Sequence, residues 1–181
     1  MKYFLRVFIP TRNRRLNELI GFLLFVSAIL LFLALISYSP HDPSLNTAAS
    51  PLSSRPASNW IGLFGALISD LLLQYAGITI FFVPLMIGLL AARWFRSREV
   101  MSPGAKAIGA MTLLVFFPAL LALLPWVLRW RHAVPIEGLL GRIVGDVLLH
   151  YLNLAGAYIV CGAIIAVAQD EFAVLGKYSI K

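Results

Sequence analysis

The chain has 181 residues, of which 60% are hydrophobic and 13% charged, with a formal net charge of +7. An ordinary soluble domain is about 45–50% apolar and about 25% charged, so this balance excludes a disordered chain and argues against a soluble globular enzyme. A single cysteine excludes an internal disulfide framework and a cysteine-based zinc site. The basic excess, joined to so much apolar sequence, points to an anionic membrane surface rather than nucleic acid.

Residues 1–18 form a basic N-terminus carrying Lys2, Arg6, Arg12, Arg14 and Arg15, interleaved with Tyr3, Phe4 and Phe8. DNA binding is one reading of that pattern. The simpler reading is control of topology plus attraction to anionic lipid, worth about 1 kcal/mol per basic residue near the surface. The first span is expected at about 19–37. It is an uncharged apolar run, longer than the roughly 7–15 residues of a signal-peptide core and without a small-residue cleavage site, so it reads as a retained membrane helix. A loop follows over 39–58, with Pro40, Pro43, Pro51 and Pro56, and is expected to be irregular.

Residues 59–92 are too many for one ordinary span of about 20 residues. They divide at Ala76-Gly77 into a semi-polar helix over about 59–75 and a second span over about 76–92. Arg93, Arg96, Arg98 and Lys106 come next. The third span is expected over about 107–128, with Pro118 and Pro125 inside it. After a short loop over 129–135, a second semi-polar helix takes about 136–151. The fourth span takes about 153–169, and 173–181 begin a linker-like tail with Lys177 and Lys181. Basic residues stay on the cytoplasmic side. Their excess in the N-terminus, the 93–106 loop and the tail, over Arg55, Arg129, Arg131 and Arg142 elsewhere, places both termini in the cytoplasm.

The chain also repeats itself. GLFGALISDLLLQY at 62–75 aligns with GLLGRIVGDVLLHY at 138–151, with seven of fourteen positions identical. After a three-residue insertion, Ala76-Gly77 aligns with Ala155-Gly156. The expected fold is therefore an all-α membrane protein of four transmembrane helices. They form two parallel repeats, each with a periplasmic helix lying in the interface.

Ser37-Tyr38-Ser39-Pro40-His41-Asp42-Pro43-Ser44 at the end of the first span, and Asn59, Gly62, Gly65 and Asp70 after it, resemble the N-terminal four-span domain of the FtsK/SpoIIIE DNA translocases. The resemblance covers about 15–172 and is weakest in the third span. It implies an inner-membrane anchor at the division septum, coordinating chromosome segregation with cell division. It also implies homo-oligomerisation, a hexamer in the family, and contacts with division-septum proteins. The family's RecA-like motor, with its ATP and magnesium, and its DNA reader lie beyond this domain. This chain contains no Gly-x-x-x-x-Gly-Lys-Ser/Thr loop to cradle phosphates. It is expected to be non-enzymatic, needing no cofactor, and to meet DNA only through the missing motor. It is either a piece of a longer product or an anchor-only relative.

For chemistry, the residues offer little. Asp42, Pro43, Ser44, Asn59, Gly62 and Gly65 read as turn and packing positions, with Asp42 accepting a backbone N–H. Asp70 and Asp146 are repeat-equivalent acids, and His150 follows Asp146 by one helical turn. They suggest an ion path only if they face the membrane interior. The plainer expectation is that both acids face water from interfacial helices. His41, His132 and His150 lack metal-ligand spacing. Cys161 reads as a small apolar residue in mid-span. Gly141-xxx-Gly145 and Gly162-xxx-Ala166 suit close helix contacts, within the chain or between copies. The alternative function is a small transporter or channel subunit built on the parallel repeat. An intramembrane protease or acyltransferase lacks a nucleophile–base set.

Overall fold

A computed structural model describes residues 10–11, 13–44, 56–97 and 103–177, with side chains to 169 in the last helix. The basic residues at 2, 6, 12 and 98, Pro51, Arg55 and Lys181 lie outside the described residues. Helix α1 spans Arg14–Ile36. Helix α2 spans Gly62–Ala76 and passes through a 3-10 turn, Gly77–Phe81, into α3, Phe82–Phe95. Helix α4 spans Pro103–Ala122, and α5 runs over Gly138–Lys177 with a break at Asn153. A two-residue ribbon, β1 at Arg129–Trp130 and β2 at Val134–Pro135, joins α4 to α5. Among the described residues, four helical stretches are long and apolar enough to cross a membrane: Arg14–Ile36, Gly62–Phe95, Gly104–Ala122 and Gly138–Gln169.

The chain divides into two compact units. One holds the described residues up to 72 together with 80–97, and the other holds Leu73–Thr79 with 103–177. In the first unit, α1 and α3 run antiparallel. Gly21 marks a close approach, where a Cβ would stand 3.0 Å from the Phe95 backbone N and 3.2 Å from the Ala91 carbonyl. A larger residue would separate the helices, which is why small residues serve such contacts in lipid. Further along, Phe32 meets Phe81 edge to face at 6.1 Å. The first helix starts earlier than the expected 19. Asn13 caps it, its side chain accepting from the Arg15 and Leu16 N–H groups, so Arg14, Arg15 and Glu18 are helical rather than part of a preceding tail.

In the second unit, α4 and the latter half of α5 pack antiparallel around Ala119, Leu123, Ala157 and Cys161, extended by Leu113, Ile165 and Ala168. The third helix does not reach 128. It ends at Ala122, and Pro125 supplies no N–H to continue it. The first half of α5 packs against the end of α4. A Cβ on Gly141 would stand 2.5 Å from the Pro118 carbonyl, and one on Gly145 would stand 3.0 Å from Ala122. The Gly141–Gly145 pair is thus used within the chain. Gly162, by contrast, is exposed with open space around it.

Thirty-two helical residues measure about 48 Å, well beyond a hydrocarbon core of about 30 Å, so stretches of this length tilt, bend or run past the hydrocarbon, and here both bend. The two bends correct the expected alignment. The α2–α3 stretch breaks at Gly77 with φ 60°, and α5 breaks at Asn153 with φ 54°. Both positions follow the start of their helix, Gly62 or Gly138, by the same interval, and both starts also have positive φ. No three-residue insertion is needed: Asn153, rather than Gly156, stands opposite Gly77. At Asn153 this φ is joined to a ψ of 176°, a region essentially confined to glycine, so the break there carries backbone strain.

Candidate functional site

The last four carbonyls of a helix lack intrahelical donors. At the end of α1 these groups seed a buried polar clasp. Ser37 Oγ donates to the Leu33 carbonyl at 2.6 Å and accepts from the Trp60 N–H at 3.1 Å. Asn59 Nδ2 donates to the Ala34 carbonyl at 2.8 Å and to Ser69 Oγ at 3.4 Å, while its Oδ1 accepts from the Ile61 N–H at 3.0 Å. Asp42 holds the returning chain. Its Oδ1 accepts from the Ser58 N–H at 2.7 Å and the Ser58 hydroxyl at 2.8 Å, and its Oδ2 accepts from the Asn59 N–H at 2.9 Å. The two stems of the 43–57 loop are therefore tied at their base.

The glycines around the clasp are structural. Gly62 donates its N–H to the Asn59 carbonyl at 2.8 Å and opens α2 with φ 71°. Gly65 leaves room for the Asn59 amide, since a Cβ there would stand 2.5 Å from Asn59 Oδ1. Asp42, Ser44 and Asn59 are buried, and Pro43 is half-buried. The structure thus brings Asp42, Asn59, Gly62 and Gly65 together.

Asp70 joins the same unit. It is 6% exposed, and the Tyr38 hydroxyl donates to its Oδ1 at 3.1 Å. Burial, then the Asp70 carboxylate, pushes the Tyr38 hydroxyl well above its ordinary pKa, so it remains a neutral donor. The expectation that both acids face water therefore fails for Asp70, whose helix turns it inward against Tyr38. Asp146 and His150 are exposed on α5, and His150 stacks edge to face on Tyr151 at 4.9 Å.

A second polar knot sits at the opposite end of α1. Asn17 is 1% exposed. Its Oδ1 accepts from the Thr11 N–H at 2.7 Å and the Thr11 hydroxyl at 2.8 Å. Its Nδ2 donates to the Thr11 carbonyl at 2.8 Å and to Ser97 Oγ at 3.1 Å. Every hydrogen-bonding position of the amide is used, which removes the penalty of burying it. Sequence reasoning missed Asn17, Thr11, Ser97 and Ser69. Asn17 had a signal: an amide within one turn of an apolar run, where a polar group must find partners.

In both knots the polar atoms are taken up by neighbouring groups, an arrangement that holds chain segments in place. The chain matches the family model described as the 4TM region of DNA translocase FtsK/SpoIIIE over residues 13–175. It belongs to that family. Curated relatives are DNA translocases FtsK: that of Caulobacter vibrioides is 30% identical over 82% of this chain and 18% of its own length. That of Shewanella oneidensis is 29% identical over 72% of this chain and 14% of its own length. The Azospirillum brasilense relative is 38% identical over 63% of this chain and 18% of its own length. The chain therefore spans less than a fifth of the length of these relatives. No solved structure matches it. Both polar knots fall within the matched residues, apart from Thr11.

Proposed function

We propose that this region anchors a DNA translocase in the bacterial inner membrane at the division septum and takes no catalytic part itself. The observation that carries the reading is the clasp around Asp42 and Asn59 within a four-helix region of the FtsK/SpoIIIE family. Its buried polar groups are spent on tying one loop to the ends of two helices. Such a clasp presents a loop of fixed base at the membrane surface, where a partner can read it. In this reading both termini are cytoplasmic and the clasp is periplasmic. The stretches 62–76 and 138–152 lie in the interface. The sequence repeat then gives two span pairs of the same topology, and copies of the chain associate. ATP, magnesium and DNA are handled by a motor outside the region described here.

The test is septal recruitment of a fluorescently tagged chain carrying Asp42→Ala or lacking 43–57. Loss of the septal band with normal membrane insertion supports the reading. Unchanged recruitment in both variants removes the loop from targeting. A transporter would instead require Asp70 and Asp146 to line a path, and Asp70→Asn with Asp146→Asn would then abolish a measurable flux.

A further inference from the structure

We propose that one end of the first unit is a binding site for the phosphate of anionic phospholipids, assembled by the contact between Asn17 and Ser97. Two basic segments lie some eighty residues apart in sequence: Arg14 and Arg15 in the first turn of α1, and Arg93 and Arg96 at the end of α3. The 3.1 Å hydrogen bond from Asn17 Nδ2 to Ser97 Oγ joins these segments within four residues of each charge. The close approach of Gly21 to Phe95 holds the same two helix ends together. Four arginines are thereby gathered at one end of a helix pair. Arg14, Arg15 and Arg96 are exposed and Arg93 is half-buried. Glu18 is the acidic group on this end of α1, and it is bonded to Arg14 at 2.9 Å.

The position of the patch selects its ligand. Leu16, Leu19 and Phe95 are exposed at 42%, 55% and 40% beside the arginines. These apolar side chains belong in hydrocarbon, so guanidinium groups within one turn, about 5.4 Å along the axis, reach the depth of lipid phosphates. A guanidinium fork matches phosphate oxygens in a bidentate manner, which a generic positive surface does not require. Thr11 and Ser97 each hold Asn17, so the spacing between the two basic segments is set by tertiary structure rather than left to mobile side chains. This inference does not depend on the septal role.

The test titrates the purified full chain in uncharged detergent with short-chain phosphatidylglycerol, phosphatidylcholine, inorganic phosphate or duplex DNA, following thermal unfolding. Phosphatidylglycerol should raise the midpoint, with the gain eroded by salt, while the other three leave it in place. Arg15→Gln and Arg96→Gln should each weaken phosphatidylglycerol binding by about fivefold. Ser97→Gly removes the hydroxyl and no charge, at a position whose φ of 49° glycine accepts. It should also weaken binding. Equal stabilisation by inorganic phosphate or by DNA would overturn the lipid assignment. So would full binding in Ser97→Gly, which would reduce the patch to unassembled charge. Reconstitution in bilayer discs of phosphatidylcholine, alone or mixed equally with phosphatidylglycerol, must reproduce the same ranking.

Discussion

Asp70 lies buried beneath Tyr38 in the first unit, whereas Asp146, its counterpart in the sequence repeat, is exposed on α5. The surroundings differ in the same sense. The first unit closes its helix ends with buried amides and a carboxylate, at Asn17, Asp42 and Asn59. Glycine against backbone serves both units, at Gly21 on Phe95 in the first and at Gly141 on Pro118 and Gly77 against Ile136 in the second, where the Ile136 carbonyl accepts the Ile78 N–H at 2.9 Å; the second has no buried amide or carboxylate side chain among its described residues. Seven identities in fourteen residues thus serve two methods of holding helices. A polar clasp suits a chain that must tether a long loop. Steric closeness suits a unit joined by a short ribbon.

The largest break in this comparison should come from Asp42→Ala. It strands two backbone N–H groups and a hydroxyl, and should cost about 3 kcal/mol in thermal or denaturant unfolding in detergent. Asp146→Ala, at the exposed counterpart of Asp70, should stay within about 0.5 kcal/mol. Equal effects would mean that the clasp carries no special weight.

Gly141→Ala tests the other method of closure. The added methyl meets the Pro118 carbonyl, and overpacking of this kind should cost about 2 kcal/mol. Gly162→Ala, where nothing stands within 4 Å, should be neutral or slightly stabilising, since alanine is the better helix former. The two bends allow a further contrast. Gly77→Ala should destabilise, because its Cβ would overlap the Ile136 carbonyl, while Asn153→Gly should stabilise by about 1 kcal/mol through relief of an unfavourable backbone conformation.

A modest effect at neutral pH is expected of Tyr38→Phe, which loses one hydrogen bond worth about 1 kcal/mol. Its signature is the pH profile. The folded pKa of Tyr38 is raised above the ordinary value of 10.0, so the folded state holds the proton more tightly than the unfolded chain. That contribution is fully present below about pH 10 and declines as pH rises further. Stability of the parent chain should fall on the alkaline side of that point more steeply than stability of Tyr38→Phe. Parallel curves would remove Tyr38 from the clasp.

Much of this was legible in the residues. Four apolar runs gave four helices, because apolar length alone decides what can cross a bilayer. Asp42, Asn59, Gly62 and Gly65 stood out as turn positions, and the structure gathers them. The end of α4 was misplaced because apolar residues continue past Ala122, while a helix stops where its backbone partners do. The second bend falls at Asn153 rather than at Ala155-Gly156, and a positive φ at a residue other than glycine leaves no mark in the sequence.

The sequence by itself determined that the chain is built of membrane-crossing helices, since burying so many apolar residues needs lipid, and that it repeats an internal pattern of short-range identity. Only the tertiary structure decided which polar residues are partners. A hydrogen bond from Asn17 to Ser97, or from Tyr38 to Asp70, links residues far apart in the chain. Composition and periodicity describe neighbours along one element, so they carry no record of such pairs. The same limit hid the different fates of Asp70 and Asp146: identical residues in matching segments are distinguished by what packs against them.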